Sequence, residues 1–181
     1  MNSSESIDKL CMGCMRMKKT EGICAFCGFV ESGHMPAPHH LPLRSILAGK
    51  YLVGQVIGEG GFGITYLGWD LNLDLKIAIK EYYPAGFVTR ESSSTNTITP
   101  YTGEKGQFFL KGREKFVEEA KSLAKFFSLP GIVSVKDFFL ENGTAYIVME
   151  YVEGETLKER LARAGGKMPA EQVLEMMKPL I

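Results

Sequence analysis

No stretch of this sequence is apolar for long enough to cross a bilayer, since runs such as 145–149 and 132–135 fall far short of the ~20 residues a spanning helix needs. Charge of one sign is not in excess either, because 21 lysines and arginines are balanced by 21 aspartates and glutamates. That balance excludes the bias of a protein that coats nucleic acid or lies on an anionic membrane, so no nucleic-acid partner is expected. The opening MNSSESIDKL has neither a basic n-region nor an apolar h-region and does not read as a secretory leader. A reducing, cytoplasmic setting is expected, with an anchor beyond residue 181 left open. Cysteine is missing after position 27. What the chain does have is hydrophobic residues, 45% of 181, enough for one ordinary domain with a core and something small beside it.

The cysteines form two pairs, Cys11-x-x-Cys14 and Cys24-x-x-Cys27, with nine residues between them. A two-residue spacer lets both sulfurs of a tight knuckle face one point, and two knuckles supply the four thiolates of a tetrahedral zinc site. Gly13 and Gly28 stand where such knuckles need positive φ or open space. Residues 1–33 hold little to make a core beyond Ile23, Phe26, Phe29 and Val30, so a closed structural metal would supply most of their folding free energy. Iron of rubredoxin type would use the same ligands. Two disulfides fit poorly without a secretion signal, and a redox pair lacks the βαβ surroundings of a thioredoxin-like motif. Arg16, Lys18 and Lys19 read as a solvated hairpin tip.

Residues 34–50 carry Pro36, Pro38 and Pro42 and all three histidines, and read as a linker. Four cysteines already complete a tetrahedron, so His34, His39 and His40 are read as linker side chains and not as ligands.

Beyond residue 50 the periodicity changes. Segments 51–59 and 63–70 read as strands about a glycine-rich turn, and 75–81 alternates with period two. Residues 116–127 switch to helical period, with Phe116, Ala120, Leu123, Ala124 and Phe127 on one stripe, and Pro130-Gly131 ends that helix. Two further strands, 133–140 and 145–151, flank Asn142-Gly143, a strong hairpin signal. The expected order is βββαββ. Segment 82–115, with the polar run ESSSTNTIT, reads as an insertion. Later, Thr156 to Glu159 spells a capping box, and Pro169 suits the start of a last helix bearing Val173, Leu174, Met177 and Leu180, which Pro179 should kink.

The run Ile57-Gly58-Glu59-Gly60-Gly61-Phe62-Gly63-Ile64-Thr65 has the form G-x-G-x-x-G, which dinucleotide-binding folds share. In those folds the third glycine opens a helix, whereas Gly63 is followed by a strand pattern and then by Ile77-Ala78-Ile79-Lys80. Glycine loop, strand, Ala-x-Lys strand and a helix with a glutamate at the edge of its buried face closely resemble the small lobe of the eukaryotic-type serine/threonine protein kinases. The resemblance implies an α+β fold over 51–181: a five-stranded antiparallel sheet with one long helix, then the first helices of the second lobe, behind a zinc ribbon at 1–33 and the linker at 34–50.

It also implies ATP as ligand. The glycines would let backbone N–H groups lie over the phosphates, with Phe62 shielding them from water. Ala78 leaves room for adenine on the face where Lys80 reaches the α- and β-phosphates. Helical geometry places Glu119 about 80° and Glu118 about 180° from a stripe centred near Phe127, so Glu119 is the expected partner of Lys80, as the family pattern also has it. By resemblance Met149 is the gatekeeper, the backbones of Glu150 and Val152 bond the adenine edge, and Ile57 and Thr65 cover the base, with Thr65 standing where the family usually has Val. The catalytic loop His-Arg-Asp-x-x-x-x-Asn and the Asp-Phe-Gly that holds magnesium do not occur in these residues. The chain reads as the front of a longer kinase with protein substrates and is expected to be inactive alone. A pseudokinase or scaffold is the rival reading.

Overall fold

The computed structural model describes residues 7–90, 96–127 and 129–178. Eight strands occur among them: β1 Ile46–Leu47, β2 Tyr51–Gly60, β3 Gly63–Asp70, β4 Leu75–Tyr82, β5 Val88–Arg90, β6 Ile98–Pro100, β7 Val135–Glu141 and β8 Thr144–Glu150. One antiparallel sheet runs in the order β1-β2-β3-β4-β8-β7, and β5 with β6 makes a separate hairpin. The five strands read from periodicity are all present. The sixth, β1, comes from the stretch read as linker, which also sends Leu41 and Leu47 into the core.

Period-two alternation sorts β4 as its sequence requires. Ile77 and Ile79 are fully buried with Tyr66, Tyr146 and Val148, while Ala78 and Lys80 take the other face. Asn142 and Gly143 both have positive φ, 51° and 76°, as a tight β7–β8 turn demands.

Helix α1 spans Glu104–Leu123 and so begins well before Phe116, where helical periodicity becomes readable. Gly106 and Gly112 dilute the helix signal upstream, since glycine costs about 1 kcal/mol against alanine in a helix. Packing reverses that preference: a Cβ on Gly112 would lie 2.0 Å from Tyr82 Oη, so only glycine admits the tyrosine that stacks on Phe109. Phe116 and Ala120 are buried as expected, but Ala124 and Phe127 are exposed, Phe127 at 71%.

The described residues of segment 82–115 are therefore organised. Val88 and Ile98 enter the core, and Arg90 reaches Glu81, with both side chains almost wholly buried. The first five residues of the ESSSTNTIT run lie outside the described residues, as do Pro179 and Leu180. Glu81 also accepts hydrogen bonds from Tyr66 Oη at 3.0 Å and Tyr146 Oη at 2.6 Å. Burial pushes the Glu81 carboxyl up, opposed by Arg90 and the two tyrosines. Replacing Glu81 by Gln strands the guanidinium and is expected to cost about 3–5 kcal/mol. Urea unfolding of Glu81→Gln beside the Glu81→Met/Arg90→Met pair checks this, because the double change should restore most of the loss.

The cysteine module does not form a core of its own. Ile23 and Phe26 are exposed at 64% and 51%, and its buried side chains, Leu10, Met12 and Met15, pack instead on Leu52 and Leu67 of the sheet. Gly54 makes this approach possible, because a Cβ there would lie 2.6 Å from the Met12 carbonyl oxygen and 2.3 Å from Met15 Cε. Gln55 N–H donates to Met12 O at 2.9 Å, and its side-chain Nε2 donates to Gly13 O at 2.8 Å. Arg44 completes the seam, donating to the carbonyls of Ile7, Asp8 and Leu10 and to Glu31.

Helices α2 Leu157–Arg163 and α3 Ala170–Met177 follow β8. The Thr156–Glu159 capping box is formed, and Pro169 sits immediately before α3. Among the described residues no helix is long and apolar enough to cross a membrane.

Candidate active site

Strands β2 and β3 close at Gly61-Phe62, with Gly58 opposite Thr65, Glu59 opposite Ile64 and Gly60 opposite Gly63. Nothing lies near the Cβ positions of Gly60 and Gly61, so the backbone there is open to a ligand, and Phe62 at the tip is 65% exposed. The tip is tied back by its carbonyls: Phe62 O accepts from Tyr83 N–H and Gly61 O from Ala85 N–H, both at 3.2 Å.

Register puts Gly58, Thr65 and Lys80 in one cross-strand row and Ala78 beside Met149 in the next. Lys80 Nζ lies 3.8 Å from Glu119 Oε1 and 5.4 Å from the centre of the Phe116 ring. Both partners are partly exposed, so the pair contributes only about 0.2–1 kcal/mol to the fold. Glu118 points away and pairs with Lys121 at 2.9 Å. Phe127 is exposed, and the buried face beside which Glu119 lies is set by Phe116 and Ala120.

A cavity of about 370 Å³ opens here, lined in part by Phe62, Lys80, Phe116 and Glu119. It also takes Tyr82, Phe108, Gly112 and Lys115, all from the segment that sequence periodicity left unread. A signal was there: Lys115 stands one helical turn before Glu119. A larger concavity of about 540 Å³ lies between 8–9 and 18–21 of the cysteine module, away from this chemistry.

Two residues expected in the ligand loop point elsewhere. Ile64 is fully buried, so only its backbone can meet a ligand. Glu59 leaves the hairpin on the side of Ile64 and Glu81, opposite Lys80, and bonds His39 Nε2 at 2.8 Å and His40 Nε2 at 2.9 Å. At the other end of the sheet, Met149 and Glu150 close β8, and Glu150 exchanges two hydrogen bonds with Ser134. Val152 lies beyond the strand, 65% exposed, and its N–H has no backbone partner among the described residues. Ile57 is 42% exposed beside the hairpin.

The four sulfurs converge. Cys11 and Cys27 Sγ are 3.7 Å apart and Cys14 and Cys24 Sγ 3.8 Å, all four lying within 4.8 Å of one another. A disulfide needs about 2.05 Å, whereas a tetrahedron with ~2.3 Å metal–sulfur bonds needs about 3.8 Å. Burial pushes the Cys11 thiol up to about 12. Cys24 is held down to about 6: desolvation acts the other way and is outweighed by the N–H groups of Phe26 and Cys27. Gly28 has φ of 73°, and Gly13 is required by the Phe29 ring, 2.5 Å from where a Cβ would stand.

The family model described as protein kinase domain matches residues 51–181. The chain belongs to the protein kinase family. Among similar proteins is serine/threonine-protein kinase PrkC of Bacillus subtilis, 33% identical over 135 residues, an alignment covering 75% of this chain and 17% of PrkC. Serine/threonine-protein kinase PksC of Streptomyces coelicolor is 34% identical over 140 residues, covering 74% of this chain and 21% of PksC. The kinase chain thus spans about a fifth of these relatives. The solved structure "PpkA-294 apo form" superposes with a TM-score of 0.68 at 35% identity, over 76% of this chain and 47% of that one. The Mycobacterium tuberculosis PknI kinase domain shares the fold, with a TM-score of 0.57 at 22% identity, over 78% of this chain and 48% of that one. The kinase lobe is of the bacterial eukaryotic type, and its sheet carries β1 as one strand more than the five expected.

Proposed function

We propose that the protein to which this chain belongs transfers the γ-phosphate of ATP to serine or threonine hydroxyls of other proteins. The observation that carries this reading is the approach of Lys80 and Glu119 beside the glycine hairpin, in a chain of the protein kinase family. In the proposed reaction the substrate hydroxyl oxygen bonds the γ-phosphorus and gives its proton to a catalytic base, while the bond from phosphorus to the β,γ-bridging oxygen breaks and ADP departs.

These residues bind and orient. Gly58, Gly60, Gly61 and Gly63 present backbone N–H groups to the phosphates, and Lys80, steadied by Glu119, meets the α- and β-phosphates. Ile57, Thr65 and Ala78 cover the base, Met149 limits the depth of its pocket, and the Glu150 carbonyl and Val152 N–H bond the adenine edge. Magnesium would neutralise phosphate charge when bound, and neither its family-pattern ligands nor the family-pattern catalytic base occur in residues 51–181. Cys11, Cys14, Cys24 and Cys27 hold a structural zinc, with 1–33 as ribbon, 34–50 as its connection and 51–181 as kinase domain. Incubating the full-length protein with γ-labelled ATP and a protein acceptor is expected to yield phosphoserine or phosphothreonine. Nucleotide binding without any transfer would instead mark a scaffold.

A further inference from the structure

We propose that His39, His40 and Glu59 form a second metal site, for a divalent cation of the zinc class, clipping the connecting segment to the outer face of the glycine hairpin. Their ligand atoms lie within 4.8 Å of one another, and each imidazole Nε2 faces a different oxygen of the one carboxylate. Two neutral imidazoles and a carboxylate are the donor set of a three-ligand zinc site with an open fourth position. Tetrahedral bonds of 2.0–2.1 Å put ligand atoms about 3.3 Å apart, so the observed 2.8 Å and 2.9 Å need open by only a few tenths of an ångström.

The site is built on fixed backbone. Leu41, next to His40, is buried and donates its N–H to Tyr66 Oη at 3.1 Å, and Tyr66 is itself bonded to buried Glu81. His40 N–H closes a turn onto Ala37 O at 2.8 Å. The His39 ring packs on Tyr83, whose N–H holds the Phe62 carbonyl at the hairpin tip. Ligands from two distant segments are thus oriented before any ion arrives.

Glu59 leaves the hairpin on the side away from Lys80, so the ion would sit outside the ligand cleft and act as a clip, not as a reactant. A metal joining 39–40 to position 59 restrains the strand that carries Gly58 and Gly60. On the ATP reading given above, it slows opening of the lid.

The test titrates the full chain, freed of metal, with cobalt as a spectroscopic stand-in for zinc. About one equivalent should give thiolate-to-metal charge transfer from the cysteines, and about one more should give visible bands without it. The His39→Ala/His40→Ala and Glu59→Gln variants should keep the first and lose the second, with zinc content after gel filtration falling from about two ions to about one. A wild-type chain that takes one equivalent only, or variants that keep both, would overturn the site and leave a hydrogen-bonded latch. In the full-length protein, zinc should slow release of a fluorescent ADP analogue by about 5-fold or more in wild type and not in the variants. Nucleotide that fails to bind in every metal state would reject the ATP reading while the metal count still decides the site.

Discussion

Replacing Lys80 by Met in the full-length protein is expected to lower phosphotransfer by at least about 10²–10³-fold, the usual cost of deleting one charge-stabilising donor from a preorganised site. Folding should barely notice. Lys80 and Glu119 stand 3.8 Å apart with their side chains 36% and 54% exposed, and a pair of that kind is worth no more than about 1 kcal/mol. The two effects together distinguish a positioning cation from a structural one: kcat/KM falls while the urea midpoint stays. Glu119→Gln should lose less, because the amide can still accept a hydrogen bond from the ammonium, although it no longer holds it by charge. Full turnover in Lys80→Met would remove the role given to this side chain.

The second large effect is expected at the cysteines. Structural zinc contributes on the order of 10–16 kcal/mol of binding free energy to modules of this size, and here the module's buried side chains rest on the kinase sheet. Changing Cys11 and Cys24 to Ser should therefore release Leu10, Met12 and Met15 and uncover Leu52 and Leu67. Burial of each such side chain is worth about 1.5–3 kcal/mol, so the sheet itself should melt at a lower temperature. Hydrogen exchange gives the sharper reading. The Gln55 amide, bonded to Met12 O, should lose protection, while the amides between β4 and β8 stay protected. Unchanged exchange at Gln55 would mean that the seam forms without metal.

Most of the lobe was legible along the chain because its signals are local. Alternation in 75–81, the Asn142-Gly143 turn and the glycine run before a strand each carry their own backbone preference. Helical angle and the family pattern both favour Glu119 over Glu118, and Glu119 lies 3.8 Å from Lys80 in the structure. The start of α1 was not legible, since Gly106 and Gly112 argue against helix until Tyr82 is known to pack there. Arg90 gave no signal either: a lone arginine beside a polar loop acquires meaning only when folding brings it to a buried glutamate.

By itself, then, the order of residues determined five strands of the lobe, the Asn142-Gly143 turn, the metal-spaced cysteines and the side of β4 on which Lys80 emerges, all of which follow from interactions a few residues apart. Only the tertiary structure decided where the cysteine module spends its apolar side chains, that 34–50 is built into the sheet, and that two histidines meet Glu59. Those depend on contacts between distant segments, whose cost in chain entropy is offset by burial that no local window of sequence can register.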